Sequence, residues 1–341
     1  MPSPITPEFM SVLDSYIHTA PSSQNALDLF KGEWSSKLPA ECAGLEAGPI
    51  GLFEDDRIAW AISQFGGVEG QRILELGPLE AGHTYMFDRR GAASITAIES
   101  NSRAYLKCLI VKEILGLTRS HFHYGDCVEY LKGNPGKFDL CCASGVLYHM
   151  LNPAELISLV AQVSDRLFLW THYYDEAIVK SSPRLIHKFP GSIEAEYNGF
   201  QYTLYRQDYE TALNSMGFCG GGNTYSNWMT RDALLEYLQL VGYGNIQINF
   251  DLPDHPNGPS LALTAEKVGT PVNAPLSQTA SANGVTAATD PDAALQSRLV
   301  EMQQQLQQAK DRVSAMETSK FWKLRTQWFK VKKQLGLPTD E

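Results

Sequence analysis

Residues 72–82 read RILELGPLEAG, and this stretch decides the fold. Its apolar run, Ile73–Leu76, has the length of a buried strand and meets Gly77 at the start of a turn. Four more apolar runs follow along the chain, separated by helical or polar sequence: SITAIES, HFHYGD, FDLCCASG and RLFLWTHY. Strands that alternate with helices indicate βαβ units. We therefore expect an α/β protein with a doubly wound, mostly parallel sheet.

Two later runs predict a hairpin that closes the sheet at one edge. NIQINF (245–250) and SLALTAEK (260–267) are joined by DLPDHPNGP, whose Pro, Asn and Gly residues require a loop. With the five earlier runs they give a seven-stranded sheet. Between the second and third runs, residues 104–115 place apolar side chains at helical spacing and end at Gly116, which predicts a crossover helix.

Composition changes along the chain divide it into four regions and one insertion. The segment after the sheet is rich in Ala, Thr, Ser and Pro, so it cannot offset the entropy of ordering. The predicted parts are an N-terminal helical lid segment (1–70), the main domain (71–267) with a substrate insertion (176–228), a flexible linker (268–292), and a coiled coil with a basic amphipathic helix (293–336).

The C-terminal region predicts contacts with partners. Residues 293–316 carry an a/d heptad seam, which is typical of a coiled coil and favours a homo-oligomer. Residues 320–335 combine aromatic side chains at helical spacing with six Lys or Arg residues. A basic amphipathic helix of this kind favours either a membrane surface or a protein partner. An extension of the coiled coil, packed within an oligomer, is the alternative.

Charge and cysteine content narrow the class of protein. A formal net charge of −10 argues against broad nucleic-acid binding. Six cysteines without a C-x-x-C pair favour reduced thiols. The first residues lack the pattern of a secretory signal, and no stretch of about 18 apolar residues occurs. We expect a cytoplasmic protein, peripheral to the inner membrane face if its basic helix binds lipid.

Acidic residues end three successive predicted strands, as a nucleotide site requires. Glu75 precedes Gly77, Glu99 ends the second strand, and Asp126 follows the third. A carboxylate at the second strand can accept hydrogen bonds from ribose hydroxyls, and one at the third can accept from an adenine amine. A dehydrogenase would use similar acids but needs G-x-G-x-x-G for a diphosphate. The chain has GPLEAG instead, and Glu80 is expected to repel a diphosphate but to tolerate a sulfonium cofactor.

Over residues 26–266 the chain resembles the class I S-adenosylmethionine-dependent methyltransferases, and in particular a bacterial subgroup. The resemblance lies in ILELGPLEAGHTYM, IESNSRAYLKCLIVKEILGL, SGVLYHMLNP and WTHYYD. It implies S-adenosyl-L-methionine as cofactor. One departure is that Leu79 and Ala81 replace the second and third glycines of the family's loop, with Gly82 displaced by one position. The expected cofactor-binding residues are Glu75, Gly77, Gly82, Glu99, Asp126, Cys127 and Ser144.

Polar aromatic residues follow the fourth and fifth strands, on the edge where the cofactor is expected. Methyl transfer to a hydroxyl or amine requires removal of a proton, and His149 is our first candidate for the base. A packing or helix-capping histidine is the alternative interpretation. His172 and Tyr173 are further catalytic candidates, and the expected substrate contacts are Tyr148, Tyr174 and Trp228.

These observations predict a methyltransferase acting on oxygen or nitrogen of a small molecule or glycan precursor. The alternative is a catalytically inactive cofactor-binding scaffold that organises partners through its coiled coil. A metal site is not expected, because His121 and His123 share one strand face without a third ligand.

Overall fold

The computed structural model describes residues 16–215 and 217–268. Its strands are β1 (Arg72–Leu76), β2 (Ser94–Glu99), β3 (Ser120–Tyr124), β4 (Leu140–Ser144), β5 (Arg166–His172), β6 (Gly191–Tyr197), β7 (Phe200–Asp208), β8 (Tyr225–Trp228), β9 (Tyr243–Leu252) and β10 (Ser260–Lys267). Its α-helices are α1 (Ser23–Asp28), α2 (Asp56–Gln64), α3 (Gly82–Arg89), α4 (Ser102–Leu115), α5 (Cys127–Lys132), α6 (Pro153–Val163), α7 (Glu176–Ser181) and α8 (Arg231–Leu240).

Seven strands form the main sheet in the order β3, β2, β1, β4, β5, β10, β9. The first five are parallel, whereas β10 pairs antiparallel with β5 and β9 pairs antiparallel with β10. The order reverses next to β1, where β1 lies between β2 and β4. Ligands of doubly wound sheets bind at the carboxyl edge of the strands beside such a reversal. The predicted seven-stranded, mostly parallel sheet and its closing hairpin are confirmed.

Helices cover both faces of this sheet because its strands are apolar on both sides. Leu74 and Leu76 face a core that includes α6 and α8. Ile73 faces the opposite core, which α2 and α3 cover. Alternation along β1 therefore turns Glu75 toward the α2 and α3 side. This places a carboxylate under α2 and α3.

The predicted crossover helix is confirmed as α4. Asn101 caps its start by accepting hydrogen bonds from the backbone N–H groups of Arg103 and Ala104. Gly116 ends it in the left-handed conformation, with φ at 60°.

The insertion after β5 contains α7 and a separate three-stranded sheet in the order β6, β7, β8. One face of β7 buries Phe200, Tyr202 and Leu204, and the Phe200 ring lies 5.0 Å from that of Tyr237 in α8. This packing fixes the small sheet to the domain and brings β8, with Trp228 at its end, beside the carboxyl edge of the main sheet.

The predicted linker (from residue 269 onward), coiled coil and basic helix lie outside the described residues, so their roles stay predictions. Among the residues that the structure describes, no helix is long and apolar enough to span a membrane. All six cysteines fall within this part of the chain and are free thiols.

Candidate active site

The loop between β1 and α3 has a left-handed backbone at three positions, only one of which is a glycine. Gly77, Leu79 and Ala81 have φ values of 63°, 55° and 62°. Left-handed backbone costs an L-residue with a side chain about 1–2 kcal/mol. At Gly77 a Cβ atom would lie 2.8 Å from Cγ2 of Val146, so a side chain there would also clash. The loop thus adopts a glycine-like path at Leu79 and Ala81, where packing must hold the strain.

Gly82 is required for a different contact than the predicted one. A Cβ atom there would lie 2.7 Å from the carbonyl oxygen of Leu52, so the missing side chain admits the N-terminal segment. Gly82 also begins α3, whose N-cap residue Ala81 has no side chain that could accept a hydrogen bond from the helix. Any contact of Gly82 with a cofactor would therefore be through its backbone N–H.

The expectation that Glu80 would repel a diphosphate is wrong. Glu80 is 1% exposed and turns toward the N-terminal segment, where its carboxylate accepts hydrogen bonds from the backbone N–H groups of Ser35 and Ser36. Lys107 of α4 binds the same carboxylate at 2.9 Å. The charge of Glu80 is therefore paired within the protein, and the residue joins the loop to the N-terminal segment.

Glu75 carries an unpaired oxygen in a fully buried position. Its Oε2 accepts a hydrogen bond from the hydroxyl of Thr84, but Oε1 has no partner among the described residues. Burial raises the pKa of this carboxyl, while the charge of His83 and the Thr84 hydrogen bond act in the opposite direction. Since an unsatisfied buried carboxylate is costly, Oε1 marks a place for a donor that the protein itself does not provide.

Glu99, at the end of β2, is held by backbone groups on both of its oxygens. Oε1 accepts from the N–H of Asn101 at 2.8 Å, and Oε2 accepts from the N–H of Leu79 at 3.1 Å. Burial raises the pKa of this carboxyl, and the backbone hydrogen bonds partly offset that effect. The contact with Leu79 ties the strained loop to the neighbouring strand and fixes the carboxylate's orientation.

Asp126 has a structural role beside its predicted one. Its Oδ1 caps α5 by accepting from the N–H groups of Val128 and Glu129. Cys127 is the first residue of that helix, and burial raises the pKa of its thiol to about 12. Ser144 ends β4 and is partly exposed. The predicted cofactor residues thus lie along the carboxyl ends of four adjacent strands: β3, β2, β1 and β4.

On the other side of β4, five side chains form what we call the aromatic cluster: Tyr148, Trp170, His172, Trp228 and His255. The imidazole of His172 lies 5.0 Å from that of His255 and 4.7 Å from the ring of Tyr148, measured between centroids. Nε1 of Trp228 donates a hydrogen bond to the carbonyl oxygen of Tyr148. The structure therefore brings together the predicted site residues Tyr148, His172 and Trp228 with Trp170 and His255.

Backbone carbonyls fix the tautomer of His172. Nδ1 lies 2.9 Å from the carbonyl oxygen of Gly258 and 3.1 Å from that of Pro259. Carbonyl oxygens only accept, so Nδ1 carries the hydrogen and Nε2 keeps its lone pair. Burial lowers the pKa of His172 to about 4, although the two carbonyls favour the charged form. At neutral pH this residue is an uncharged proton acceptor.

His149 is also neutral but lacks such a fixed tautomer. Its Nδ1 lies 2.8 Å from the hydroxyl of Tyr209, which can donate or accept. Burial, followed by the nearby charge of His172, lowers the pKa of His149 to about 4.

Tyr173 and Tyr174 lie away from the aromatic cluster's histidines. Tyr173 points to the opposite face of the sheet from His172, and its hydroxyl donates to Oδ1 of Asp251 at 2.6 Å. Tyr174 stacks on Tyr205 with ring centroids 3.6 Å apart. Both side chains have structural partners, and we leave Tyr173 out of the proposed catalytic set for this reason.

Three residues near the cluster were missed from the sequence: Asp55, Arg57 and His83. The guanidinium carbon of Arg57 lies 4.6 Å above the ring of Trp170. Asp55 accepts hydrogen bonds from Nε of Arg57 at 2.9 Å and lies 3.0 Å from Nε2 of His83. The only sequence signal was Asp55 as a helix cap before α2, and such a cap is ordinarily structural. The described residues hold no group of three or more His, Cys, Asp or Glu side chains placed for a metal ion.

No protein-family model and no curated protein matches the chain. Solved structures do match it. The N-terminal domain of EvdMO1, determined in the presence of SAH and D-fucose, aligns with 22% identity and a TM-score of 0.56, covering 72% of this chain and 95% of that one. The same domain with SAH bound gives 22% identity and a TM-score of 0.57 with the same coverage. An S-adenosylmethionine-dependent methyltransferase from Mesorhizobium loti aligns at 15% identity and a TM-score of 0.42, over 64% of this chain and all of that one.

The seven-stranded order with its antiparallel hairpin, together with the match over nearly all of the EvdMO1 domain, decides the fold. The chain has the fold of the class I S-adenosylmethionine-dependent methyltransferases. The resemblance to this family that the sequence showed is therefore confirmed for the fold. In the methyltransferase fold, the carboxyl edge that carries Glu75, Glu99 and Ser144 is the edge where a cofactor would be held.

Proposed function

We propose that the protein transfers a methyl group from S-adenosyl-L-methionine to a hydroxyl oxygen of a small polar acceptor, with sugars as the leading class. The observation that carries this proposal is the unpartnered Oε1 of Glu75, fully buried beneath the loop that leads into α3. A buried carboxylate without a donor calls for a cationic or strongly donating ligand group.

The residues at the carboxyl edge fit this cofactor. Its α-ammonium group would donate to Oε1 of Glu75, and each oxygen of Glu99 has a second lone pair for a ribose hydroxyl. Oδ2 of Asp126 makes no hydrogen bond to the described residues and could accept from an adenine amine. A diphosphate fits less well beside Glu75, because its charge would lie next to an unpaired carboxylate.

The aromatic cluster supports a neutral acceptor with hydroxyl groups. Sugar rings present C–H faces that pack on aromatic side chains, and Trp170 and Trp228 offer such surfaces beside His172. The matched EvdMO1 domain was crystallised with D-fucose, which is consistent with a sugar as acceptor.

Bound S-adenosylmethionine would supply an electrophilic methyl group on its sulfonium. During methyl transfer from the bound sulfonium to the acceptor oxygen, Nε2 of His172 would accept the proton of the acceptor hydroxyl, and the imidazolium would later lose that proton to solvent. His172 is assigned this task before His149, because the Gly258 and Pro259 carbonyls keep its Nε2 free of hydrogen.

Calorimetry with S-adenosylmethionine, SAH and NAD on the full chain tests the cofactor. We expect binding of the first two, its loss in Glu99→Ala, and no effect of the matched control Glu113→Ala, an exposed acid on α4. Binding of NAD alone would overturn the proposal.

A methylation assay with labelled methyl donor and a panel of free and nucleotide-linked sugars then tests the reaction. Cofactor binding without turnover on any acceptor would favour the scaffold alternative.

A further inference from the structure

The N-terminal segment and α3 together form an ion cluster at the carboxyl edge of the sheet. Its members are Asp55, the cap of α2, Arg57 in the first turn of that helix, and His83 in the first turn of α3. Although burial opposes ionisation of Asp55, hydrogen bonds from His83 and Arg57 hold its pKa below the ordinary value. Asp55 is therefore an anion that fixes two basic side chains.

Arg57 is positioned with part of its guanidinium group unused. Nε and Nη2 bind Asp55, and Nη1 makes no hydrogen bond among the described residues. The flat face of the group lies over Trp170, which prevents it from turning away. A guanidinium held in this way presents donors in a fixed direction, as a carboxylate requires.

The cluster reaches the orphaned carboxylate of Glu75. Oε2 of Glu75 accepts a hydrogen bond from the hydroxyl of Thr84, which follows His83 in the first turn of α3. The start of α3 adds N–H groups that no side chain caps. An α-amino acid carries its ammonium and carboxylate groups on the same carbon atom, so a ligand whose ammonium meets Glu75 must place its carboxylate within a few ångströms.

From this geometry we infer that Arg57, oriented by Asp55 and assisted by His83 and the uncapped start of α3, binds the α-carboxylate of the cofactor's amino-acid end. The inference rests on the proposed function. It makes the N-terminal segment a part of the cofactor site, and it gives Arg57 a binding role rather than a catalytic one.

Two ligands distinguish this role by calorimetry on the full chain: SAH, and 5′-methylthioadenosine, which keeps the adenosine and the thioether but lacks the amino-acid group. In Arg57→Gln we expect the affinity for SAH to fall by roughly tenfold to a hundredfold, the loss of one charged hydrogen-bonding pair. The affinity for methylthioadenosine should stay within about twofold, since that ligand has no carboxylate. Asp55→Asn should likewise lower the affinity for SAH and leave the affinity for methylthioadenosine unchanged.

Arg166→Gln is the matched control. Arg166 pairs with Glu266 and lies over the ring of Phe65, but it does so at the opposite end of β5. Unchanged SAH affinity in Arg57→Gln, or an equal loss of affinity for SAH and methylthioadenosine, would overturn the inference while leaving the proposed function intact. Failure of the unmodified protein to bind either ligand would instead overturn the proposed function, and the inference with it.

Discussion

The imidazole of His172 lies parallel to the indole of Trp228, with ring centroids 5.2 Å apart and planes 6° from parallel. Trp228 comes from the insertion and is itself anchored to the backbone of Tyr148. The loop that precedes β10 holds the edge of the imidazole, because the carbonyl oxygens of Gly258 and Pro259 accept from Nδ1. A ring that is stacked on Trp228 and hydrogen-bonded to this loop has little freedom to turn, so its Nε2 keeps one direction.

His172→Gln is expected to lower kcat by roughly 10² to 10⁴, the usual contribution of a general base. SAH affinity should not change, because His172 is assigned to the acceptor. Steady-state kinetics and calorimetry on the same sample measure both quantities. His149→Gln is the comparison, and its effect on kcat should be smaller; an equal or larger effect would transfer the role of base to His149.

Acid should destabilise the fold through the two buried histidines. Both have pKa values of about 4 in the folded protein, below the ordinary 6.5. The unfolded chain therefore binds protons more readily, and stability is lost as pH falls from about 6.5 to 4, by up to about 3 kcal/mol for each group. Urea unfolding between pH 7 and 4.5 measures this loss. The raised pKa values of Glu75 and Glu99 act with the opposite sign.

The contribution of His172 is isolated by comparing slopes. The free energy of unfolding of His172→Gln should depend less steeply on pH over this range than that of the unmodified protein. Parallel pH profiles would show that His172 has the same pKa in the folded protein as in the unfolded chain.

Glu75→Gln should separate stability from binding. Because burial raises the pKa of Glu75, ionisation of this residue costs folding free energy above its folded pKa, and the neutral amide removes that cost. We expect an apo melting temperature that is equal or higher at pH 8, together with a loss of SAH affinity of tenfold or more. Differential scanning calorimetry and titration calorimetry measure the two effects. A lower melting temperature with unchanged affinity would contradict the ligand role.

Gly82→Ala should destabilise the protein more than Gly116→Ala. A Cβ at Gly82 meets the backbone of Leu52, which cannot move without displacing the N-terminal segment, whereas a Cβ at Gly116 meets nothing within 4 Å. Gly116 has a left-handed φ of 60°, so its substitution costs about 1 kcal/mol. For Gly82→Ala we expect about 2–4 kcal/mol from overpacking. Equal losses of unfolding free energy in the two variants, measured with urea, would mean that the N-terminal segment shifts to make room for the added methyl group.

The succession of the seven strands in the main sheet could be predicted from sequence because it follows from local patterns, whereas the three strands of the insertion were not predicted. The apolar runs of β1 to β5 alternate with helices, and the hairpin of β9 and β10 is marked by its Pro and Gly loop. The same holds for the acids: Glu75, Glu99 and Asp126 are at or next to strand ends, and parallel strands bring their carboxyl ends to one edge. Sequence also placed Tyr148, His172 and Trp228 near the site, through their positions after β4, in β5 and in the insertion.

What each side chain meets was decided by tertiary structure alone. Tyr173 is one residue from His172, yet alternation turns it to the other face and to Asp251. Glu80 lies in the loop that was correctly located, but it pairs with Lys107, a residue 27 positions away. Arg57 reaches Trp170 across more than a hundred residues of sequence. Local spacing determines periodicity and chain direction, whereas charge pairing and ring stacking depend on which distant elements the packed core brings together.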